Sequence, residues 1–196
     1  MEEVSNEALS AAAAALRAGG VAVFPTDTVY GIGVAVLPGT NPEALFRIKQ
    51  RAADKPVAWL VGNVSDLDVY GQNVPQWARV AAQAHWPGAL TLIVKASAQV
   101  PAAFQSATGT IGLRMPASNV ALSLIRAVGV PLATTSANIS GQPAPVEDAQ
   151  LDSRVLSLVN AVVRGVSCTG GQGMASTVID CTGQTPVVLR QGSITL

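Results

Sequence analysis

Two apolar runs of this sequence end directly in short polar segments, and this arrangement narrows the choice of fold. Val21 to Phe24 is followed, after Pro25, by the polar, glycine-containing segment Thr26 to Gly33. The second run, Val130 to Thr135, leads straight into Ser136-Ala137-Asn138. Short apolar runs are typical of buried strands, and polar segments at strand ends are where α/β sheets place binding sites. The pattern predicts an α/β protein with a site at these strand exits.

Helix signals alternate with the strands along the rest of the chain. Caps and first-turn prolines predict helices that begin near Ser5 or Asn6, Asn41, Pro75 and Ser118, with a short helix near Glu147 to Leu151. Further strands are predicted at Val57 to Val61, Leu90 to Lys95, Thr110 to Arg114, Asn160 to Arg164, Ser176 to Asp180 and Pro186 to Arg190. A mixed sheet of about seven strands with packed helices fits this count. We expect residues 1–196 to form a single domain.

Composition supports a wide covered sheet and disfavours several other classes. Hydrophobic residues make up 49% of the 196 residues and charged residues only 12%, which excludes disorder. Twelve basic and twelve acidic residues give a formal charge of zero, whereas non-specific nucleic-acid binders carry a basic excess. No secretory signal and no continuous apolar span of ~20 residues occurs, so we expect a cytoplasmic protein without membrane contact. Cys168 and Cys181 are too few and too far apart for a zinc or redox motif.

A basic segment is the first candidate for anion binding. Arg47, Lys49, Arg51 and Lys55 fall within nine positions. Arg47 and Arg51 are four apart and would repel on a continuing helix, and an anion would remove that conflict. Lys49 and Arg51 would face different directions on a helix, so their joint action requires the helix to end near Lys49. A solvated basic helix end, favoured by the helix dipole, is the structural alternative.

The turn Ser136-Ala137-Asn138 is the second candidate. Its hydroxyl and amide suit hydrogen bonding to a phosphate or ribose, although polar turns at strand ends are also common without a function. Ser136 lacks a G-x-S-x-G context, and the single histidine, His85, has no visible tie to it. Neither a dinucleotide fingerprint nor a Walker loop is present, and Gly170 to Gly173 fits a mobile loop better than a phosphate cradle. No metal-binding cluster of His, Cys and carboxylates is evident.

Taken together, seven stretches resemble one family in order and cover nearly the whole chain. They are FPTDTVYGIG (Phe24 to Gly33), RIKQRAADKPV (Arg47 to Val57), WPGALTLIV (Trp86 to Val94), IGLRMP (Ile111 to Pro116), PLATTSANISGQPAP (Pro131 to Pro145), STVID (Ser176 to Asp180) and VLRQG (Val188 to Gly192). The sequence resembles the Sua5/YrdC/TsaC family. The resemblance implies an open twisted α/β sheet with a concave, positively lined cavity, the YrdC-like fold.

The resemblance also implies a reaction, its substrates and its partners. L-threonine, bicarbonate and ATP would give threonylcarbamoyl-AMP and pyrophosphate, a nucleotidyltransferase activity that serves the modification of tRNA at adenosine 37. Mg²⁺ would come with ATP, without a dedicated protein site. Possible further partners are tRNA and the threonylcarbamoyl-transferase proteins that consume the adenylate. The alternative function is a non-enzymatic module of the same fold that binds double-stranded RNA or tRNA, which the neutral charge disfavours.

Site residues follow from the resemblance, position by position. The ATP-binding positions match Arg51, Lys55, Thr110, Ser136, Asn138 and Arg190. The threonine-binding positions match Thr28, Arg114, Thr134 and Ser176. Lys49 and Arg51 would offset charge in catalysis, and Arg114 would pair with the threonine carboxylate. The sequence departs from the family pattern at Ala52 and Ala175, where proline is usual, and at Leu60, where several members have a histidine.

Overall fold

The computed structural model describes residues 4–50, 57–165, 167–168 and 174–195, and these form helices packed on one sheet. The helices are α1 (Asn6–Arg17), α2 (Glu43–Lys49), α3 (Asp66–Tyr70), α4 (Gln76–His85), α5 (Asn119–Val128) and α6 (Ser153–Leu156). The strands are β1 (Val21–Pro25), β2 (Tyr30–Ala35), β3 (Ala58–Leu60), β4 (Gly71–Gln72), β5 (Leu90–Ala96), β6 (Thr110–Arg114), β7 (Leu132–Ser136), β8 (Ala161–Val162), β9 (Thr177–Asp180) and β10 (Val187–Arg190).

The predicted caps set the ends of the longer helices. The Ser5 hydroxyl accepts a hydrogen bond from the Ala8 backbone N–H at the start of α1, and Ser118 does the same for α5. Gly129 ends α5 with φ at 82°, a left-handed conformation that favours glycine. Helix α2 ends at Lys49, as the joint action of Lys49 and Arg51 required. Instead of the single short helix predicted near Glu147, a 3-10 turn at Asp148–Gln150 precedes α6.

The described residues form one open sheet of ten strands, so the prediction of about seven strands was too low. The strand order is β10-β9-β5-β6-β3-β7-β2-β1-β8, and β4 pairs with β5 outside this path. Two strands, β2 and β4, were missed. In β2 the pattern Tyr-Gly-Ile-Gly was interpreted as part of a polar, glycine-containing segment, whereas every residue of this strand is buried.

The glycines of β2 reflect a close approach between strands rather than a turn. Strand β2 pairs antiparallel with β7, placing Gly31 opposite Ser136 and Gly33 opposite Thr134. A Cβ atom on Gly31 would lie 2.9 Å from Thr134 Cγ2, and one on Gly33 would lie 2.9 Å from Thr134 Oγ1. Both distances are shorter than real Cβ contacts allow. Glycine therefore keeps space beside Thr134 at the centre of the sheet.

The core consists of two clusters on opposite faces of the sheet. Along β1, Val21 and Val23 belong to the larger cluster with residues of α2 and α4, whereas Ala22 and Phe24 belong to the smaller cluster with α1 and α5. This alternation follows the two-residue period of a strand. No described helix is both long and apolar enough to cross a membrane. Burial on both faces of the sheet explains the high hydrophobic content.

Candidate active site

A cavity of about 890 Å³ opens over the central strands of the sheet. Most of the predicted site residues within the described part of the chain line it, and they are Thr28, Thr110, Arg114, Thr134, Ser136, Ser176 and Arg190. Strand pairing explains the gathering, because β6 and β7 both flank β3, β2 adjoins β7, and β9 connects β5 to β10. Lys49 and Asn138 lie behind this lining. Arg51 and Lys55 lie outside the described residues.

Arg114 is held from three sides at the floor of the cavity. Its side chain is buried and forms an ion pair with Asp27, which is buried to a similar degree. Its Nε donates to the Gly88 carbonyl oxygen at 3.0 Å, and its Nη1 donates to Thr28 Oγ1 at 3.0 Å. A guanidinium has five N–H donors, and these described contacts use three of them. One N–H on each terminal nitrogen therefore remains for a ligand.

Arg190 forms a second cationic wall of the cavity. Its Nε donates to the Ser176 carbonyl oxygen at 2.9 Å, and its Nη2 donates to Ser176 Oγ at 3.1 Å. The Ser176 hydroxyl in turn lies 2.8 Å from the Thr91 hydroxyl. Burial, together with the positive charge of Arg114, lowers the pKa of the Arg190 guanidinium below its usual value. Two guanidiniums thus line the cavity, and the Asp27 carboxylate pairs with one of them, which favours an anionic ligand.

Lys49 binds the Ser136-Ala137-Asn138 turn through its ammonium group. The side chain is only 3% exposed. Its Nζ donates to the carbonyl oxygens of Ser136 at 2.5 Å and Asn138 at 2.7 Å, and it lies 3.0 Å from Asn138 Oδ1 and 3.3 Å from Ser136 Oγ. The two predicted candidates, the basic segment and the turn, therefore meet directly. Since the Ser136 hydroxyl accepts from a cation, its own proton is available for an acceptor in the cavity.

Two further predicted threonines line the cavity with hydroxyls that already have protein partners. Thr110 Oγ1 lies 2.6 Å from Ser106 Oγ, in the loop that precedes β6. Thr134 Oγ1 donates to the Leu132 carbonyl oxygen at 3.0 Å. Because these hydroxyls already form hydrogen bonds within the protein, their orientations are fixed. Groups that are already oriented can bind a ligand without a further loss of conformational entropy.

Two of the three departures from the family pattern, Leu60 and Ala175, line the cavity. Leu60 lies in β3 beside Arg114 of β6, is 4% exposed and contributes an apolar surface. Ala175 lines the cavity next to Ser176. Ala52 lies outside the described residues. Leu60 therefore makes the floor near Arg114 less polar than a histidine would.

The other sequence candidates within the described part of the chain are absent from the cavity lining. No group of three or more His, Cys, Asp or Glu residues that could hold a metal occurs among the described residues. His85 lies at the end of α4 and is absent from the cavity lining. Burial raises the pKa of the Cys168 thiol to about 11 and that of the Cys181 thiol to about 12. The Gly170 to Gly173 segment lies outside the described residues.

Three functional neighbours were missed by the sequence analysis. Asp27 pairs with Arg114, Thr26 bonds to Thr28, and Thr91 bonds to Ser176. Thr26 and Asp27 lie inside a polar segment that the sequence marked as a site, so that signal was present. Thr91 gave no signal, because it is flanked by the apolar residues Leu90 and Leu92 of β5.

Comparison with known proteins identifies the relatives of this chain. A family model for Sua5/YciO/YrdC proteins, described as telomere recombination, matches residues 14–192. A Mycobacterium tuberculosis protein is 39% identical over 192 residues, covering 98% of this chain and 87% of the relative. A threonylcarbamoyl-AMP synthase from Pyrococcus abyssi is 34% identical over 198 residues, and this chain spans 57% of its length.

A solved structure gives the same relationship in three dimensions. The crystal structure of Pyrococcus abyssi Sua5 complexed with L-threonine superposes with a TM-score of 0.90 at 34% identity. The alignment covers 97% of this chain and 56% of the archaeal chain. The mixed α/β architecture of the described residues is therefore the fold of a threonine-binding protein.

Proposed function

This chain belongs to the Sua5/YciO/YrdC family, and we propose that it is an enzyme of the nucleotidyltransferase class, a threonylcarbamoyl-AMP synthase. The observation that carries this function is the cavity itself, where the buried guanidinium of Arg114, the guanidinium of Arg190 and several oriented hydroxyls face a space of about 890 Å³. Cavities of this size accept a nucleotide or a drug-sized ligand. Similarity to synthases along the full chain supports the same activity.

The amino-acid end of the proposed site lies at Thr28, Arg114, Thr134 and Ser176. Arg114 keeps one N–H on each terminal nitrogen, and the planar fork of a guanidinium suits a carboxylate. Asp27 and Gly88 fix the orientation of this fork. We assign the threonine carboxylate to Arg114. That a relative of the same fold binds L-threonine supports this assignment.

The nucleotide end of the proposed site lies at Thr110, Ser136, Asn138 and Arg190. Ser136 can donate its proton to a phosphate oxygen because Lys49 bonds to its lone pair. Arg190 adds positive charge next to Arg114. Arg51 and Lys55, outside the described residues, complete the proposed phosphate contacts. Lys49 contributes by holding the turn, and Arg51 by offsetting the charge that develops on the phosphates.

A metal ion at this end would be carried by the nucleotide. The described lining of the cavity contains no carboxylate, and Asp27 is engaged with Arg114, so the donor set fits an anion better than a free cation. Mg²⁺ bound to the phosphates of ATP would reduce their charge. The protein groups would then bind and orient the remaining oxygens.

The proposed chemistry needs positioning and charge neutralisation more than a protein nucleophile. The unprotonated threonine amine first reacts with carbon dioxide and releases a proton, or with bicarbonate and releases water, and becomes a carbamate. A carbamate oxygen then bonds to the α-phosphorus of ATP in line, while the bond from this phosphorus to the bridging oxygen breaks and pyrophosphate leaves. The absence of a catalytic triad from the sequence agrees with this scheme. The product would serve the modification of tRNA at adenosine 37 through transferase proteins.

Pyrophosphate release tests the proposal directly. Purified protein is incubated with ATP, Mg²⁺, bicarbonate and each of a panel of amino acids, including L-serine and L-valine. We expect pyrophosphate release with L-threonine that depends on bicarbonate. Equal release with all amino acids would contradict the assignment, and tight binding of double-stranded RNA or tRNA without turnover would select the binding module instead.

A further inference from the structure

The hydroxyl of Thr26 determines where the proton of Thr28 points. Thr26 Oγ1 lies 2.7 Å from the Val29 carbonyl oxygen and 3.0 Å from Thr28 Oγ1. A carbonyl oxygen only accepts, so Thr26 is the donor of this bond, and its Oγ1 in turn accepts long hydrogen bonds from the Thr28 and Val29 backbone N–H groups at 3.2 and 3.3 Å. A threonine hydroxyl carries a single proton, which Thr26 uses on Val29. Between the two threonine hydroxyls, Thr28 must therefore be the donor.

The Thr28 hydroxyl consequently faces the cavity as an acceptor. It receives a hydrogen bond from Arg114 Nη1 at 3.0 Å and gives its own proton to Thr26. Thr28 is 2% exposed and lines the cavity, so turning its proton towards a ligand would break the buried bond to Thr26. Arg114 cannot turn away freely, because Asp27 and the Gly88 carbonyl hold it. What remains on Thr28 for a ligand is a lone pair.

We propose that Thr26 is a positioning residue that holds Thr28 as a hydrogen-bond acceptor, so that the cavity selects an N–H or O–H donor of its substrate at this point. The inference rests on the proposed function, in which the substrate is L-threonine. Its ammonium and its hydroxyl are the groups that can donate. Its carboxylate has lone pairs only, is disfavoured beside Thr28 and is directed to the guanidiniums.

Titration calorimetry with truncated ligands tests this inference. The ligands are L-threonine, L-2-aminobutyrate, which lacks the hydroxyl, and (R)-3-hydroxybutyrate, which lacks the ammonium. Thr26→Val keeps the shape of the side chain and removes its oxygen, whereas Thr26→Ser restores the oxygen. Thr26→Ala serves as a second variant if the valine protein fails to fold. Circular dichroism and ATP binding report whether each variant retains its structure.

The expected result is a coupling between Thr26 and one group of the ligand. In the wild-type protein, loss of the group that bonds to Thr28 weakens binding by about tenfold, as expected for one hydrogen bond in a buried site. In Thr26→Val, loss of the same ligand group weakens binding only about twofold, because the freed Thr28 hydroxyl can turn its proton towards the ligand. Thr26→Ser restores the wild-type penalty. The ligand that shows the coupling identifies the donor as the hydroxyl or the ammonium.

A purely structural role for Thr26 gives a different outcome. If Thr26→Val weakens all three ligands by one common factor, the threonine only supports the loop and the inference is wrong. A wild-type protein that binds no L-threonine overturns both the inference and the proposed function. Threonine-dependent pyrophosphate release with no coupling overturns the inference alone.

Discussion

The ammonium group of Lys49, at the end of helix α2, lies 2.7 Å from the backbone carbonyl oxygen of Asn138 and 3.0 Å from its side-chain Oδ1. One cation thus joins the helix that begins the basic segment to the turn that follows β7. The backbone strengthens the same junction, because the Ser140 N–H donates to the Lys49 carbonyl oxygen at 2.9 Å. The conformation of the turn therefore depends on a buried charge.

Replacement of Lys49 by methionine should impair the nucleotide end of the site. The side chain keeps its length but loses its charge-assisted bonds, so the turn loses its fixed conformation and Ser136 loses its donor partner. We expect kcat/KM for ATP to fall by about tenfold to a hundredfold. Pyrophosphate release at varied ATP measures this. Arg47→Met, at an exposed position of the same helix, is the matched control, and an equal effect of the two changes would contradict the role of Lys49.

The buried ion pair between Asp27 and Arg114 should contribute more to stability than a surface pair. Asp27→Asn leaves the Arg114 guanidinium without its counter-charge, at a site where the Arg114 and Asp27 side chains are 8% and 9% exposed. We expect a loss of about 3 kcal/mol in the free energy of unfolding, measured by urea denaturation. Asp68→Asn breaks the Arg79 pair, whose side chains are 37% and 52% exposed, and should cost less than about 1 kcal/mol. Comparable losses would show that Asp27 does not neutralise a buried charge.

The hydroxyl of Ser136 should contribute to ATP affinity. Ser136→Ala removes the donor that faces the cavity and leaves the Lys49 ammonium its other acceptors on Asn138. We expect the dissociation constant for ATP to rise by about tenfold. This change corresponds to the lower end of the free energy that one charge-assisted hydrogen bond contributes. Isothermal calorimetry with ATP measures the change. Ser140→Ala alters an exposed serine just after the same turn, and its affinity should remain that of the wild type.

A methyl group at Gly31 should disturb the threonine end of the site. The added carbon would lie 2.9 Å from Thr134 Cγ2, which itself lies in a paired strand and has little freedom to move. Overpacking of this kind costs about 1–3 kcal/mol, so Gly31→Ala should lower the melting temperature and raise KM for threonine. In Gly183→Ala the nearest atom would be 3.8 Å away. That variant should match the wild type, and an unaffected Gly31→Ala would show that space beside Thr134 is not limiting.

The two buried thiols should make stability fall at alkaline pH. Their folded-state pKa values, about 11 for Cys168 and about 12 for Cys181, exceed the ordinary value of 9.0. Between these values the unfolded chain releases thiol protons that the folded protein retains, so unfolding becomes more favourable as pH rises. The free energy of unfolding should therefore decline from about pH 9 upwards. In a Cys168→Ala, Cys181→Ala double variant this decline should be shallower, whatever its stability at pH 7, and an identical slope would contradict the buried state of the thiols.

The elements that local chemistry defines could be predicted from the sequence. Ser5 and Ser118 marked helix starts that the structure confirms, because capping depends on side chains within one turn. Strand β2 could not be predicted in the same way. Its glycines resemble turn residues, and their reason is a neighbour more than 100 positions away, Thr134. Long-range packing of this kind leaves no local signal.

The site was predicted more fully by resemblance than by spacing. Spacing alone left the basic segment and the Ser-Ala-Asn turn as ambiguous features, and nothing in it indicated that Lys49 would bond to Asn138. The partner of Arg114 was also hidden, since Asp27 and Arg114 are 87 residues apart. Pairings of this kind depend on how β1, β6 and β7 are arranged in the sheet. The roles assigned to Arg51 and Lys55 stay predictions.

The strand order around the cavity also bears on how the protein is made. The walls of the cavity come from β2 and β7 on one side and from β5, β9 and β10 on the other, so they are synthesised at widely separated times. A nascent chain that has passed β7 still lacks Ser176 and Arg190. The complete lining of the cavity therefore requires that translation has delivered the strand that ends in Arg190.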